Sequence, residues 1–272
     1  MQKKPDNPNH PTGVYPAVLK DGTPSYRSMV TWHGRRISLG SYPSEEEAGS
    51  AYRDALRILS DTALMPETLM ETVLPLSKRV ILMNFRDRGI YIAQPIYLEN
   101  KYFRYYLDAV RVLKFDIDDL FYYSSHKIMA RGNHLFVADY GSQLNVLNRY
   151  GIRSYAVEGR DYRFLNGDST DFRYENIEII NRYYGVRQVA ERGFARYKAY
   201  IHIRGELVVG TYDSETAAAV AYNKAADILR RRGLKRSYPQ NYVENLTASQ
   251  YAEVYTLVRV SERLESIPLE GL

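Results

Sequence analysis

The chain repeats itself, and no other feature limits its possible folds as tightly. GVYPAVLKDGTPSYRSMVTWHGRRISLGSYPSEEEAGSAYRDALRILSD, from Gly13, matches GVRQVAERGFARYKAYIHIRGELVVGTYDSETAAAVAYNKAADILRRRG, from Gly185. Gly13 aligns with Gly185, Tyr26 with Tyr197, Gly34 with Gly205, Gly40 with Gly210, Tyr42 with Tyr212 and Tyr52 with Tyr222. The register slips by one residue twice, each time in or beside a predicted turn, where an insertion costs least.

Each copy predicts three short strands and a helix. In the second, Tyr197, Ala199, Ile201 and Ile203 alternate with Lys198, Tyr200, His202 and Arg204, the period of a strand with two unlike faces. In the first, Tyr26, Ser28, Val30 and Trp32 alternate with Arg27, Met29, Thr31 and His33. Gly34 and Gly205 sit at the expected hairpin turns. Ser44-Glu-Glu-Glu has capping-box spacing ahead of a helix. Ala48, Ala51, Tyr52, Ala55 and Leu59 follow at helical spacing, as do Ala218, Ala221, Tyr222, Ala225 and Leu229. A three-stranded sheet backed by one helix leaves its second face bare, and here that face carries basic and hydrogen-bonding side chains. Such a face can enter a DNA major groove.

Both copies resemble the ethylene-response-factor (Apetala-type, AP-two/ERF) DNA-binding domain. The shared frame is GV(R), an aromatic-x-A-x-I strand, a basic turn, LG-x-Y/F, and an alanine-rich helix. The resemblance implies that the bare sheet face docks in the major groove. By position, the first-strand arginine is kept as Arg187 but is Tyr15 in the first copy; the last-strand basic position is Arg36 in the first copy and Glu206 in the second. The expected DNA-binding residues are Arg27, Thr31, His33, Arg35 and Arg36 in the first copy. In the second they are Arg187, Arg196, Lys198, Tyr200, His202 and Arg204.

Between the copies lies RFLNGDSTDFRYENIEII, from Arg163. Its residues resemble the core of HNH nucleases of the homing-endonuclease branch, roughly D-H-I-N-G-D-x-x-D-N-R-x-x-N-L. That resemblance implies a strand–turn–helix frame around one divalent metal, with a histidine activating water. Asn166, Gly167, Asp168, Asp171, Arg173 and Asn176 keep the pattern. Arg163 replaces the aspartate, Phe164 the histidine and Phe172 the middle asparagine. A guanidinium repels a metal ion, and phenylalanine can neither accept a proton nor coordinate. The expectation is a degenerate site without catalysis or metal: Asn166–Asp168 make a turn, and Asp171 caps the next helical turn. In homing nucleases of this branch an Apetala-type domain often follows the core, as Gly185 does here.

Weaker signals take blander readings. Asp116–Asp119 reads as a solvated helix start rather than a carboxylate cluster. The five histidines lack paired ligand spacing. Arg230–Arg232 end a helix, where cations gather anyway, with phosphate contact as the alternative. Tyr251, Val254, Tyr255 and Val258 share one face of a C-terminal helix: core packing, or the seam of a homodimer.

The expected organisation is α+β: two small modules of three-stranded antiparallel sheet plus one helix, flanking a degenerate HNH-like ββα central domain. The boundaries are a disordered tail over 1–12, modules at 13–62 and 183–240, the central domain at 63–182 and a helix over 241–272. A net charge of +5 leans toward a polyanion. The absence of cysteine removes disulfides and thiol chemistry and fits a cytoplasmic, nucleoid-associated protein. No apolar run approaches the roughly 18 residues of a membrane span. The expected function is sequence-specific binding of double-stranded DNA by a bacterial or phage transcription regulator reading a bipartite site, without cofactor or membrane partner. The rivals are an active homing endonuclease and an RNA-binding or architectural protein, the latter suggested by 26 tyrosines.

Overall fold

The computed structural model describes residues 10–139, 141–154, 156–191 and 193–268. The chain is α+β, built from small antiparallel sheets, four of them three-stranded and one two-stranded among the described residues. It folds as two compact units: residues up to 146 with 168–176, and 147–167 with 177 onward. The stretch 63–182 is thus divided between the two.

The first unit opens with β1 (Val14–Val18), β2 (Pro24–Trp32) and β3 (Arg35–Tyr42), paired in that order, and α1 (Glu45–Ser60). The Ser44 side chain caps α1 by accepting from the Glu47 N–H at 3.1 Å. Val30, Ile37, Leu39, Ala51, Ala55, Ile58 and Leu59 are buried where sheet meets helix. The alanines let the helix backbone approach the sheet closely. His33 and Gly34 both have positive φ (43° and 76°) between paired Trp32 and Arg35, the two-residue turn whose twist suits a hairpin. Residues 10–12, expected in the tail, are tied down: His10 meets Glu45 at 2.8 Å and the Pro11 carbonyl accepts from Val14 at 3.0 Å. Residues 1–9 lie outside the described residues.

Next comes α2 (Leu76–Arg88), which packs on α1. The side chain of Arg86 donates to the carbonyls of Ile58 and Asp61 at 2.8 and 2.5 Å, satisfying groups that the end of α1 leaves open, and to that of Leu64 just beyond at 2.8 Å. Sheet β4 (Ile96–Leu98), β5 (Tyr102–Tyr106), β6 (Val112–Asp116) follows, then α3 (Leu120–Ser125). The last sheet of the unit is β7 (Ile128–Arg131), β8 (His134–Asp139), β9 (Ser142–Asn145).

In the second unit β10 (Tyr162–Phe164) pairs with β11 (Ile177–Ile179). The second repeat copy then gives β12 (Val186–Glu191), β13 (Phe194–His202), β14 (Glu206–Tyr212) and α4 (Glu215–Arg231), capped by Ser214 as α1 is by Ser44. The C-terminal stretch holds two short helices, α5 (Ala248–Leu257) and α6 (Arg263–Ser266), in place of the single expected one. Val258 is buried and Tyr251, Val254 and Tyr255, half-buried, pack against the core that includes α4, which is the core packing expected of that face. Lys224 Nζ donates to the carbonyls of Tyr255 and Val258, and Arg232 to that of Ile267 at 2.8 Å, so part of the Arg230–Arg232 run holds this segment down. Among the described residues no helix is long and apolar enough to cross a membrane.

Candidate nucleic-acid interface

The two modules agree down to their irregularities. The middle strand bulges between Ser28 and Met29 in the first and between Ala199 and Tyr200 in the second, at aligned positions. The amide of Met29 donates to Gly13 O at 2.9 Å, and that of Tyr200 to Gly185 O at 2.6 Å. Both glycines have positive φ (79° and 67°), and a Cβ on either would fall within 2.5 Å of the aligned tyrosine ring, Tyr52 or Tyr222. Glycine is therefore required twice over at each position. The slips in the repeat register fall in the hairpin turns. Four residues separate paired Thr31 and Arg36, but only three separate paired His202 and Glu206.

In each module the helix covers one sheet face; the other is exposed in the first module, while in the second it forms one wall of a cleft with residues of 151–161, 179–182 and 236–238, leaving Arg187, Lys198 and Tyr200 half-buried. On the first open face, Tyr15 pairs across to Arg27, Met29 to Ser38 and Thr31 to Arg36. Arg27, Thr31 and Arg36 are exposed, and the Arg36 guanidinium lies 4.9 Å from the Tyr15 ring centre. His33 is exposed at the hairpin tip, its ring edge-on to Trp32. Arg35 does not belong to this face. It pairs with Trp32 on the helix side, and its guanidinium stacks 4.0 Å over Tyr91. Adjacent strand residues point to opposite faces, so Arg35 and Arg36 cannot share one.

On the second open face, Arg187 pairs across to Lys198, Val189 to Arg196 and His202 to Glu206. Lys198, Tyr200 and His202 point outward as expected, with Arg204 exposed in the turn. Two of the arginines, however, are engaged by carboxylates. Arg187 donates from both terminal nitrogens to Glu206, one bond measuring 2.9 Å, while its guanidinium lies 4.6 Å over Tyr200. Arg196 pairs with Asp213 at 2.7 Å. Hydrogen bonds from Arg187, then the nearby charges of Arg160 and His202, hold the Glu206 carboxyl below its usual range. Opposite charges at the aligned positions 187 and 206 were a readable signal for the first pair; nothing in the sequence marked Asp213.

The HNH-like stretch lies in both units. In the second, Arg163 forms a cross-strand ion pair with Glu178 on an exposed surface, and Phe164 is buried edge-on to Tyr162. The turn after β10 has Gly167 at φ 75°. In the first unit, residues 170–172 run alongside β6, with Phe172 N donating to Lys114 O at 2.8 Å. Phe172 is buried and stacks on Phe115 at 5.4 Å, which in turn contacts Tyr123 at 4.3 Å. Asp168 accepts from Thr170 Oγ1 at 2.6 Å and from Lys114 Nζ at 3.0 Å; these bonds hold its carboxyl below the usual range. Buried Asp171 accepts from Arg173 Nη2 at 2.7 Å and caps the following 3₁₀ turn through the Arg173 N–H at 3.3 Å. Asn176 spends its amide on the Asp171 carbonyl at 2.8 Å. Every carboxylate of this stretch in the first unit thus has a cation or several donors of the chain itself beside it.

The acidic run 116–119 is only partly the solvated helix start expected. Asp119 is 1% exposed, and Asp116 accepts from the Tyr174 N–H at 2.6 Å, so these carboxylates anchor the 174–176 turn. Among the described residues no group of three or more histidines and carboxylates is placed to hold a metal ion. No protein-family model matches the chain, and no curated protein or solved structure matches it.

Proposed function

We propose that the protein, of bacterial or phage origin, binds double-stranded DNA sequence-specifically and regulates transcription at the bacterial nucleoid. One observation carries this reading: two repeat-related sheets, each braced by a helix on one face, present arginine, lysine, histidine, threonine and tyrosine on the other. Such side chains in a major groove read base edges, an arginine bidentate to guanine giving about 1–3 kcal/mol of discrimination. The first module supplies Arg27, Thr31 and Arg36. The second supplies Lys198, Tyr200 and His202. Joining two partial readers in one chain raises the effective concentration of each at a composite site.

The stretch around Arg163–Asn176 is, in this proposal, the remnant of an HNH homing nuclease that no longer cuts. Asp168 is paired with Lys114 and Asp171 with Arg173, and Phe172 fills the core where the nuclease pattern has an asparagine. Selection of bound duplexes from a random pool tests the main reading: a long two-part motif is expected, and equal retention of random duplex or structured RNA rejects it. Incubating plasmid that carries the selected site with magnesium or manganese tests the second part. Nicking above background would restore the nuclease.

A further inference from the structure

The second unit contains a cleft of about 310 Å³, lined by the open face of its sheet together with residues from 151–161, 179–182 and 236–238. Its volume is that of a small-ligand site. Arg153, Arg160, Arg182, Arg187 and Arg236 line it, against the two carboxylates Asp161 and Glu206. Each carboxylate is already engaged, Asp161 by Arg160 at 2.7 Å and Glu206 by the two-pronged grip of Arg187. Arg182 and Arg236 are exposed and form no ion pair among the described residues; Arg236 reaches a backbone carbonyl, that of Ile203, at 3.4 Å. The cleft therefore has more positive charge than its own acids balance. Its ring lining includes Tyr184, Tyr200 and Tyr238.

The Arg187–Glu206 contact has the geometry that a guanidinium also uses for phosphate, two parallel N–H···O bonds in one plane. Glu206 is half exposed, so its side chain can swing into solvent. Tyr200 would still support the Arg187 guanidinium from below once the carboxylate has left. We propose that this cleft binds a phosphate group, and that Glu206 is the resident anion which the phosphate displaces. The phosphate comes either from the DNA backbone flanking the bases read by the second sheet, in which case the site rests on the function proposed above, or from a free mononucleotide. No covalent step is involved: one anion replaces another on Arg187, while Arg182 and Arg236 contribute the surplus charge.

The test uses the full chain, with inorganic phosphate and adenosine monophosphate as probes in calorimetry. Glu206→Gln keeps the side-chain shape and removes the competing charge; it is expected to bind inorganic phosphate at least fivefold more tightly than wild type. The double variant Arg182→Ala with Arg236→Ala is expected to bind it at least fivefold more weakly. A mononucleotide source is indicated if adenosine monophosphate binds wild type below millimolar and competes with duplex. A DNA source is indicated if it does not compete and the salt dependence of duplex binding falls by about one counter-ion for each arginine removed. The proposal is overturned if Glu206→Gln and the double variant leave both phosphate affinity and salt dependence at wild-type values. Phosphate binding without sequence preference for DNA would reject the proposed function and keep this site; sequence-specific binding untouched by all three substitutions would do the reverse.

Discussion

The two modules share a backbone and differ in how they handle charge. The same two positions meet across each open face: Tyr15 with Arg36 in the first, Arg187 with Glu206 in the second. In the first, an arginine rests on a neutral ring and keeps its full charge for a partner. In the second, the arginine is gripped by a carboxylate, and Arg196 is likewise paired with Asp213. A repeat preserves what the fold needs, here a glycine, a bulge and a tyrosine, and leaves the outward pairs to diverge. The charge of a module's residues is therefore a poor guide to its pull on a polyanion; what matters is the charge left after internal pairing.

The comparison predicts effects of graded size. Gly13→Ala and Gly185→Ala should be the most damaging, each by about 3 kcal/mol or more, because a positive φ and a Cβ pressed on backbone and ring act together. Urea unfolding of the two variants checks this, with hydrogen exchange to locate the damage. A mild effect in either one breaks the claim that the modules are built alike. Arg36→Ala should weaken specific DNA binding by about 1–3 kcal/mol, with base preference lost at one position. Arg187→Ala should cost less than half of that, since Glu206 already holds the guanidinium. Equal losses in a titration of both variants would contradict the asymmetry. Installing the second pair in the first module, with Tyr15→Arg and Arg36→Glu together, should abolish preference at the first half-site while leaving unfolding almost unchanged.

The smallest effect concerns acid. The folded-state pKa of Glu206 is depressed, so its stabilising pairing is fully present above the usual glutamate range and fades as pH falls through the folded value. Because the pair is half exposed it contributes at most about 0.5 kcal/mol. Glu206→Gln should remove that slice of the acid limb from the second module and nothing from the first. Amide exchange followed between pH 6 and pH 3 reads both modules separately.

The modules were legible because their rules are local. Strand alternation, a capping serine and glycines at turns can be read without knowing any distant neighbour. Arg35 obeys the same local rule: its place beside Arg36 sends it to the other face. The rest needed partners far along the chain. Arg86 ties off a helix that ends near Ile58, and Asp119 is drawn inside to serve the turn at Tyr174. In the Arg163–Asn176 stretch the departures from the nuclease pattern could be read directly, but not that Lys114, 54 positions from Asp168, supplies a counter-charge there.

Under the proposed descent from a nuclease, the stacked rings of Phe172 and Phe115 also have a historical implication. A side chain that has become part of a hydrophobic core cannot be traded back for a polar one without a loss of several kcal/mol, about 3–5 for its deletion alone. In that descent a return to a polar residue at position 172 runs uphill, so the change works as a ratchet.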